Sequence, residues 1–182
     1  MRLVPAFHEV VMQLSGHAVV PVNDNHVILD VLSGGLDTLL TKSKYTLYKY
    51  KRINEVGKSL EGEILDILDK NSEIETVPVG QHVGYPDMCA RTGGTFTYLE
   101  VKVTGVLEGE TDTQRRFYMS SGKKIKHDGH HLLVLLYLEA EGAGFRLRSW
   151  RINDLYNLQV GIKKEYNASS RDFAMLRTLR HS

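Results

Sequence analysis

Cysteine is almost absent from this chain: Cys89 is the only one in 182 residues. That excludes an intramolecular disulfide and a thiolate-rich zinc site. Long apolar runs are missing too. The longest, Leu132 to Leu138, suits a buried strand and falls far short of a membrane span. The chain has no low-complexity segment, no evident internal repeat, and no glycine loop with the spacing and Lys-Ser/Thr of a P-loop. Its opening, MRLVPAFHEVVMQLSG, holds neither a long apolar block nor a convincing cleavage site, so a cytosolic protein is the expectation. Net charge is nearly absent as well, at +1, which argues against avid, indiscriminate nucleic-acid binding. The balance is uneven, however: residues 1–100 carry nine Lys/Arg against thirteen Asp/Glu, and residues 101–182 carry fourteen against nine. A basic cleft facing a polyanion therefore remains compatible with the composition.

What is present is ordinary for a soluble globular protein, with 42% hydrophobic and 25% charged residues. The length fits one domain. Within it we distinguish a helical and basic segment over 1–52, a core motif over 53–105, and a segment over 106–182 that completes a sheet. The first forty residues mix apolar stretches with Gly16 and a break at Gly34-Gly35, and are expected to form short helices. KSKYTLYKYKR, from Lys42 to Arg52, interleaves five basic residues with three tyrosines, and packing is the favoured role for those rings. The clearest helix is INEVGKSLEGEILDILDKN, with Leu60, Ile64, Ile67 and Leu68 on one face and Ser59 as a candidate cap. Strand-like pieces follow: ETVPVG, HVGYPDMCA, TFTYLEVKVTG, HHLLVLLYLEA and GFRLRSWRI. Turns are expected at Gly93-Gly94, around Leu107 to Arg116, and over Glu141–Gly144. Asn153–Leu158 reads as a short helix, QVGIKKEY as another strand, and SSRDFAMLRTLR as a final basic helix. Together these predict an α/β or α+β fold around a mixed central sheet.

One stretch carries chemistry. Pro86-Asp87 is followed thirteen positions later by Glu100-Val101-Lys102, inside the strand-like TFTYLEVKV. Strand side chains alternate, so Glu100 and Lys102 share one face while Leu99, Val101 and Val103 turn to a core. Two carboxylates, Asp87 and Glu100, with the carbonyl of Val101, form a donor set for a hard divalent cation such as Mg²⁺. Such an ion polarises a phosphate and acidifies its attacking water. Lys102 beside it can orient the nucleophile and offset developing negative charge. The competing reading makes Glu100 and Lys102 a solvated strand face and Asp87 a turn acid.

Pro86-Asp87 followed by Glu100-Val101-Lys102 on a strand resembles the PD-(D/E)xK nuclease superfamily, whose best-known members are type II restriction endonucleases. The resemblance covers residues 54–104. It implies a restriction-endonuclease-like core with helices flanking a mixed sheet, and catalytic residues Asp87, Glu100 and Lys102. It also implies a helper glutamate on the preceding helix, Glu61 first and Glu63 second. The expected metal is Mg²⁺, with Mn²⁺ as a substitute. The expected substrate is double-stranded DNA cut at a short specific sequence, and the expected assembly is a homodimer. Alternatives are a repair or recombination nuclease of the same fold, such as a nickase or junction resolvase, and a non-catalytic DNA-binding module.

Two further segments are candidates for DNA contact. In SSGKKIKHDGHH, Lys123, Lys124 and Lys126 could bind phosphates, while Ser121, Asp128 or His130 could reach base edges. Lys163, Lys164 and Arg171 form a second basic edge. Arg146, Arg148 and Trp150 alternate on one strand face, where a charged outer surface is favoured over phosphate contact. His127, His130 and His131 lack the partners and spacing of a zinc site. Cys89 is expected to be a small buried residue.

Overall fold

The computed structural model describes residues 5–80, 84–105 and 122–160. Three helices come first: α1 (Phe7–Ser15), α2 (Val27–Ser43) and α3 (Ile53–Asp69). Five strands follow: β1 (Glu75–Val77), β2 (Met88–Thr92), β3 (Thr95–Thr104), β4 (Gly129–Glu141) and β5 (Gly144–Asp154). They form one sheet in sequential order. β3 and β4 pair in parallel and every other neighbouring pair is antiparallel, so the sheet is mixed, as predicted. Among the described residues, no helix is long and apolar enough to cross a membrane.

α3 follows from its periodicity. Val56, Leu60, Ile64 and Leu68 recur at helical spacing and are fully buried. Burying four such side chains is worth roughly 6–12 kcal/mol before chain entropy is charged against it. The helix is capped at Arg52, about two turns before the predicted cap Ser59. Its N-terminal amide at Arg52 is met by Glu55, whose carboxylate reaches back 3.3 Å, and Ser59 lies inside the helix. Gly57, a position that blurs the helix start in sequence, is a contact point. A Cβ there would lie 3.1 Å from Val103, so its absence lets α3 settle close over β3.

α2 likewise runs unbroken through Gly34 and Gly35, correcting the expected break. A Cβ on Gly35 would collide with the side chain of Ile67 on α3; the glycine serves helix–helix approach. The hairpin joining β2 to β3 turns at Gly93 and Gly94, with φ of 55° and 88°. Two consecutive positive φ values make the tight turn whose twist matches the flanking strands, and glycine adopts them without steric cost.

The sheet is covered on both faces. One core joins Ile28, Leu32, Leu36, Leu60 and Ile64 of α2 and α3 to Leu99, Val101, Val134 and Leu136. The second gathers Phe7 and Val11 of α1 with Tyr85, Cys89, Tyr98, Ile125 and Leu155. Leu99, Val101 and Val103 thus face a core as expected, and the opposite face of β3 is buried also.

Other expectations need adjustment. Asn153–Leu158 is not a helix: β5 runs to Asp154, a turn follows, and Gln159 bridges Ala6. The strand predicted over HVGYPDMCA starts only at Met88. Residues 107–116, most of QVGIKKEY and the final basic helix lie outside the described residues.

Candidate active site

Glu100 and Lys102 leave β3 on one face, and Asp87 sits where the chain enters β2 alongside it. Asp87 is tied to β3 twice. Its backbone N–H donates to the Leu99 carbonyl at 3.0 Å, and its Oδ2 accepts from the Val101 N–H at 2.8 Å. Within a strand the N–H and C=O of one residue leave on the same side. The Val101 carbonyl therefore faces the edge that Asp87 occupies.

Glu100 is 2% exposed, which rules out the solvated-face reading for it. Its Oε1 pairs with Lys102 Nζ at 2.5 Å. Its Oε2 is buried and accepts from no donor in the described structure, and the Asp87 carboxyl is the other polar side chain against Glu100. A buried unpaired carboxylate oxygen is costly unless something else satisfies it. Burial, and then the charge of Asp87, push the Glu100 carboxyl up to about 7 against the pull of Lys102. Lys102 itself is about one-third exposed, so the pair opens toward solvent on the lysine side.

Glu61 belongs to the same field. Burial and the Asp87 charge raise its carboxyl above the ordinary value, and Lys102 and Lys58 oppose the rise. The other candidate on this helix, Glu63, pairs with Lys42 at 3.0 Å. The helix therefore brings Glu61, and not Glu63, into the electrostatic field of Asp87 and Lys102. Among the described residues, no three His, Cys, Asp or Glu side chains cluster tightly enough to hold a metal by themselves. Two carboxylates plus a main-chain carbonyl would instead make a donor set of the size that suits Mg²⁺, because that ion keeps several waters. The partnerless Oε2 of Glu100 and the adjacency of like charges fit such an ion.

Sequence reasoning missed the residues behind this cluster. The Tyr85 hydroxyl pairs with His131 Nδ1 at 2.5 Å, both side chains being buried. Burial drives the Tyr85 hydroxyl well above its usual range and His131 down to about 3, so both are neutral near pH 7. His131 therefore packs as an aromatic, against Tyr85, Tyr98 and Phe7. Tyr85 precedes the Pro-Asp pair, a visible hint. Its partner depends on the parallel register of β3 and β4, which sets Tyr98 opposite His131.

The predicted DNA-contacting residues divide. Lys123 and Lys126 are exposed. Lys124 turns inward, its ammonium donating to the carbonyls of Gly84 at 2.6 Å and Pro86 at 2.8 Å. Asp128 accepts from the Ala18 N–H at 2.7 Å and faces His17 at 3.5 Å. His130 is 6% exposed and pairs with the Val20 carbonyl at 2.9 Å. These three side chains make internal contacts. Ser121, Lys163, Lys164 and Arg171 lie outside the described residues. On β5, Arg146 and Arg148 are engaged by Glu141 and Glu139, and the Trp150 indole donates to Asp37, so that face is committed within the fold. Cys89 is buried, its thiol pushed up to about 12 by desolvation.

The sequence model of the type II restriction enzyme MjaV family matches residues 4–175, nearly the whole chain. The chain belongs to the MjaV family of type II restriction enzymes. The type II restriction enzyme MjaV of Methanocaldococcus jannaschii is 28% identical over 199 aligned residues, covering 92% of this chain and 84% of that protein. No solved structure matches. In this MjaV family member the match embraces Asp87, Glu100 and Lys102 together with α3 and the whole described sheet.

Proposed function

We propose that this chain is a metal-dependent type II restriction endonuclease with a PD-(D/E)xK site, hydrolysing phosphodiester bonds in duplex DNA at a short specific sequence. The observation that carries the reading is Glu100: a buried carboxylate with one oxygen on Lys102 and the other unpartnered, next to Asp87. Membership of the MjaV family supports the restriction activity.

Asp87, Glu100 and the Val101 carbonyl would hold Mg²⁺, with Mn²⁺ able to substitute. When bound, the ion polarises the scissile phosphate and acidifies the water that attacks it. The remaining work belongs to the chain. Lys102, held against Glu100, offers a fixed positive charge to the developing negative charge on phosphorus oxygens and orients the water. Glu61 adds a carboxylate from α3. Lys123 and Lys126 present charge to the DNA backbone, where contacts position the duplex without reading bases. A homodimer would match two sites to the two strands of a palindrome.

Digestion of a sequence-diverse duplex with Mg²⁺, beside EDTA and Lys102→Ala controls, followed by sequencing of the ends, tests the reading. Discrete fragments sharing one short sequence, lost in both controls, are expected. Absence of cleavage with both Mg²⁺ and Mn²⁺ would overturn it.

A further inference from the structure

We infer that Lys124 is a positioning residue for Asp87, clamping the bend that presents this carboxylate and joining it to the segment that carries Lys123 and Lys126. The inference rests on the metal-site reading above and adds to it a residue outside the acid–acid–lysine set.

The bend Gly84–Asp87 is not part of a strand, so the sheet ladder does not hold all of it. Besides the bond from the Val101 N–H to the Asp87 carboxylate, three attachments among the described residues hold this bend. Asp87 donates through its own N–H to Leu99, Tyr85 is anchored on His131, and Lys124 Nζ spans the carbonyls of Gly84 and Pro86. The last is a charge-assisted pair of bonds on the two carbonyls that flank Tyr85, one of them belonging to the residue just before Asp87. Hydrogen bonds from an ionised donor are roughly twice as strong as neutral ones. A point charge gripping two carbonyls restricts the rotation of the peptide that leads into Asp87.

The lysine is itself well fixed. It ends the short 3-10 turn Gly122–Lys124, and that turn is pressed onto α1: a Cβ on Gly122 would overlap the backbone at Leu14 and Ser15. The chain beyond is bound to the catalytic strand, because the N–H groups of Lys126 and His127 donate to the Tyr98 hydroxyl at 3.0 and 3.1 Å. Tyr98 lies two residues before Glu100 and on the same face. The segment 122–127 is therefore attached at one end to the Asp87 bend and at the other to the strand bearing Glu100. Lys124 faces inward from it, and Lys123 and Lys126 face solvent. Adjacent lysines thus have opposite tasks, one holding the protein and the others available to phosphate.

The test compares Lys124→Met, Lys124→Arg, Lys123→Ala and Asp87→Ala with the wild type, using three readouts: Mn²⁺ affinity without DNA by titration calorimetry, duplex affinity in EDTA, and urea unfolding. Removing a residue that orients a metal ligand weakens metal binding by about 10–100-fold, and this is the loss expected for Lys124→Met. Its duplex affinity in EDTA should stay within about threefold of wild type, and Lys124→Arg should recover most of the metal affinity by restoring two donors. Lys123→Ala should show the reverse pattern, with weaker DNA binding and unchanged Mn²⁺ affinity. If urea shows Lys124→Met to be unfolded, Lys124→Gln, which keeps a neutral amide donor, replaces it with an intermediate loss expected. Wild-type Mn²⁺ affinity in Lys124→Met or Lys124→Gln overturns the inference. So does loss of DNA affinity with metal binding intact, which would make Lys124 a phosphate contact. The Asp87→Ala arm separates the two levels: equal Mn²⁺ binding by wild type and Asp87→Ala would remove the metal site itself, and the clamp with it.

Discussion

Glu100→Gln should stabilise the metal-free protein above neutral pH while abolishing its metal response. Folded Glu100 holds its proton up to about 7, against an ordinary value of 4.5, because burial and the charge of Asp87 outweigh Lys102. Below the ordinary value both folded and unfolded chains are protonated there, and ionisation costs nothing. As pH rises from about 4.5 to about 7, the unfolded chain releases this proton and the folded chain keeps it. The folded state then binds more protons, so stability falls across that window and stays lowered above it. A gap of this size corresponds to on the order of 3 kcal/mol. At 2% exposure solvent screening takes little from it, and part of it is shared with Asp87.

Glutamine keeps the shape and never ionises. Its amide has a packing cost of its own, and that cost does not change with pH. The quantity to measure is therefore the Tm difference, Glu100→Gln minus wild type, in EDTA at pH 5 and pH 8.5 by circular dichroism melts. For a chain of 182 residues, 1 kcal/mol moves Tm by about 2–4 °C, so the difference should grow by roughly 5–10 °C between the two pH values. Adding Mg²⁺ at pH 8.5 should raise the wild-type Tm and leave the variant unmoved. A difference that stays flat with pH would refute the reasoning, because it would mean that Lys102 compensates Glu100 fully.

Lys102→Ala should abolish cleavage yet leave duplex binding within about threefold, as a gel-shift in EDTA would read, because the role proposed for the lysine is toward charge that develops only in the transition state. Tyr85→Phe removes a buried hydroxyl and leaves His131 with neither ring nitrogen paired; about 1–3 kcal/mol should be lost in urea unfolding. Gly129→Ala places a methyl against the Phe96 carbonyl at the start of the parallel β3–β4 pairing, and a loss of about 1–3 kcal/mol is expected in the same assay.

The elements that the chain spells out are those whose determinants are local. β4 is legible because LLVLLYL is apolar on both faces, as a central strand buried on both sides must be. α3 is legible from its period, and the Gly93-Gly94 turn from the two glycines that a tight hairpin needs. The misreadings at glycines within the helices share a cause. Gly57 and the Gly34-Gly35 pair look like helix breakers, because glycine weakens an isolated helix. Here Gly57 and Gly35 admit Val103 and Ile67, neighbours distant in sequence, and packing overrides the propensity.

The candidate site shows the same division. Spacing alone places Glu100 and Lys102 on one face of one strand, and that juxtaposition needs no knowledge of the fold. Alternation, however, foretells one buried face and one wet one. It is the second core, built by α1 and the residues around Tyr85 and Leu155, that covers the Glu100 side and turns a surface acid into a buried one. That burial is what raises the carboxyl and leaves its second oxygen without a partner, the two properties that make the motif chemically distinct from a charged strand edge. Lys124 is the complementary case. In sequence it is one lysine among three, with nothing to separate it from Lys123 and Lys126. Only the return of the chain from β3 to β4 brings it over the carbonyls beside Asp87. The total charge of a basic run is legible in sequence, but the direction in which each lysine points is decided by contacts some forty residues away, and here that direction separates Lys124, bonded to the carbonyls beside Asp87, from the solvent-facing Lys123 and Lys126.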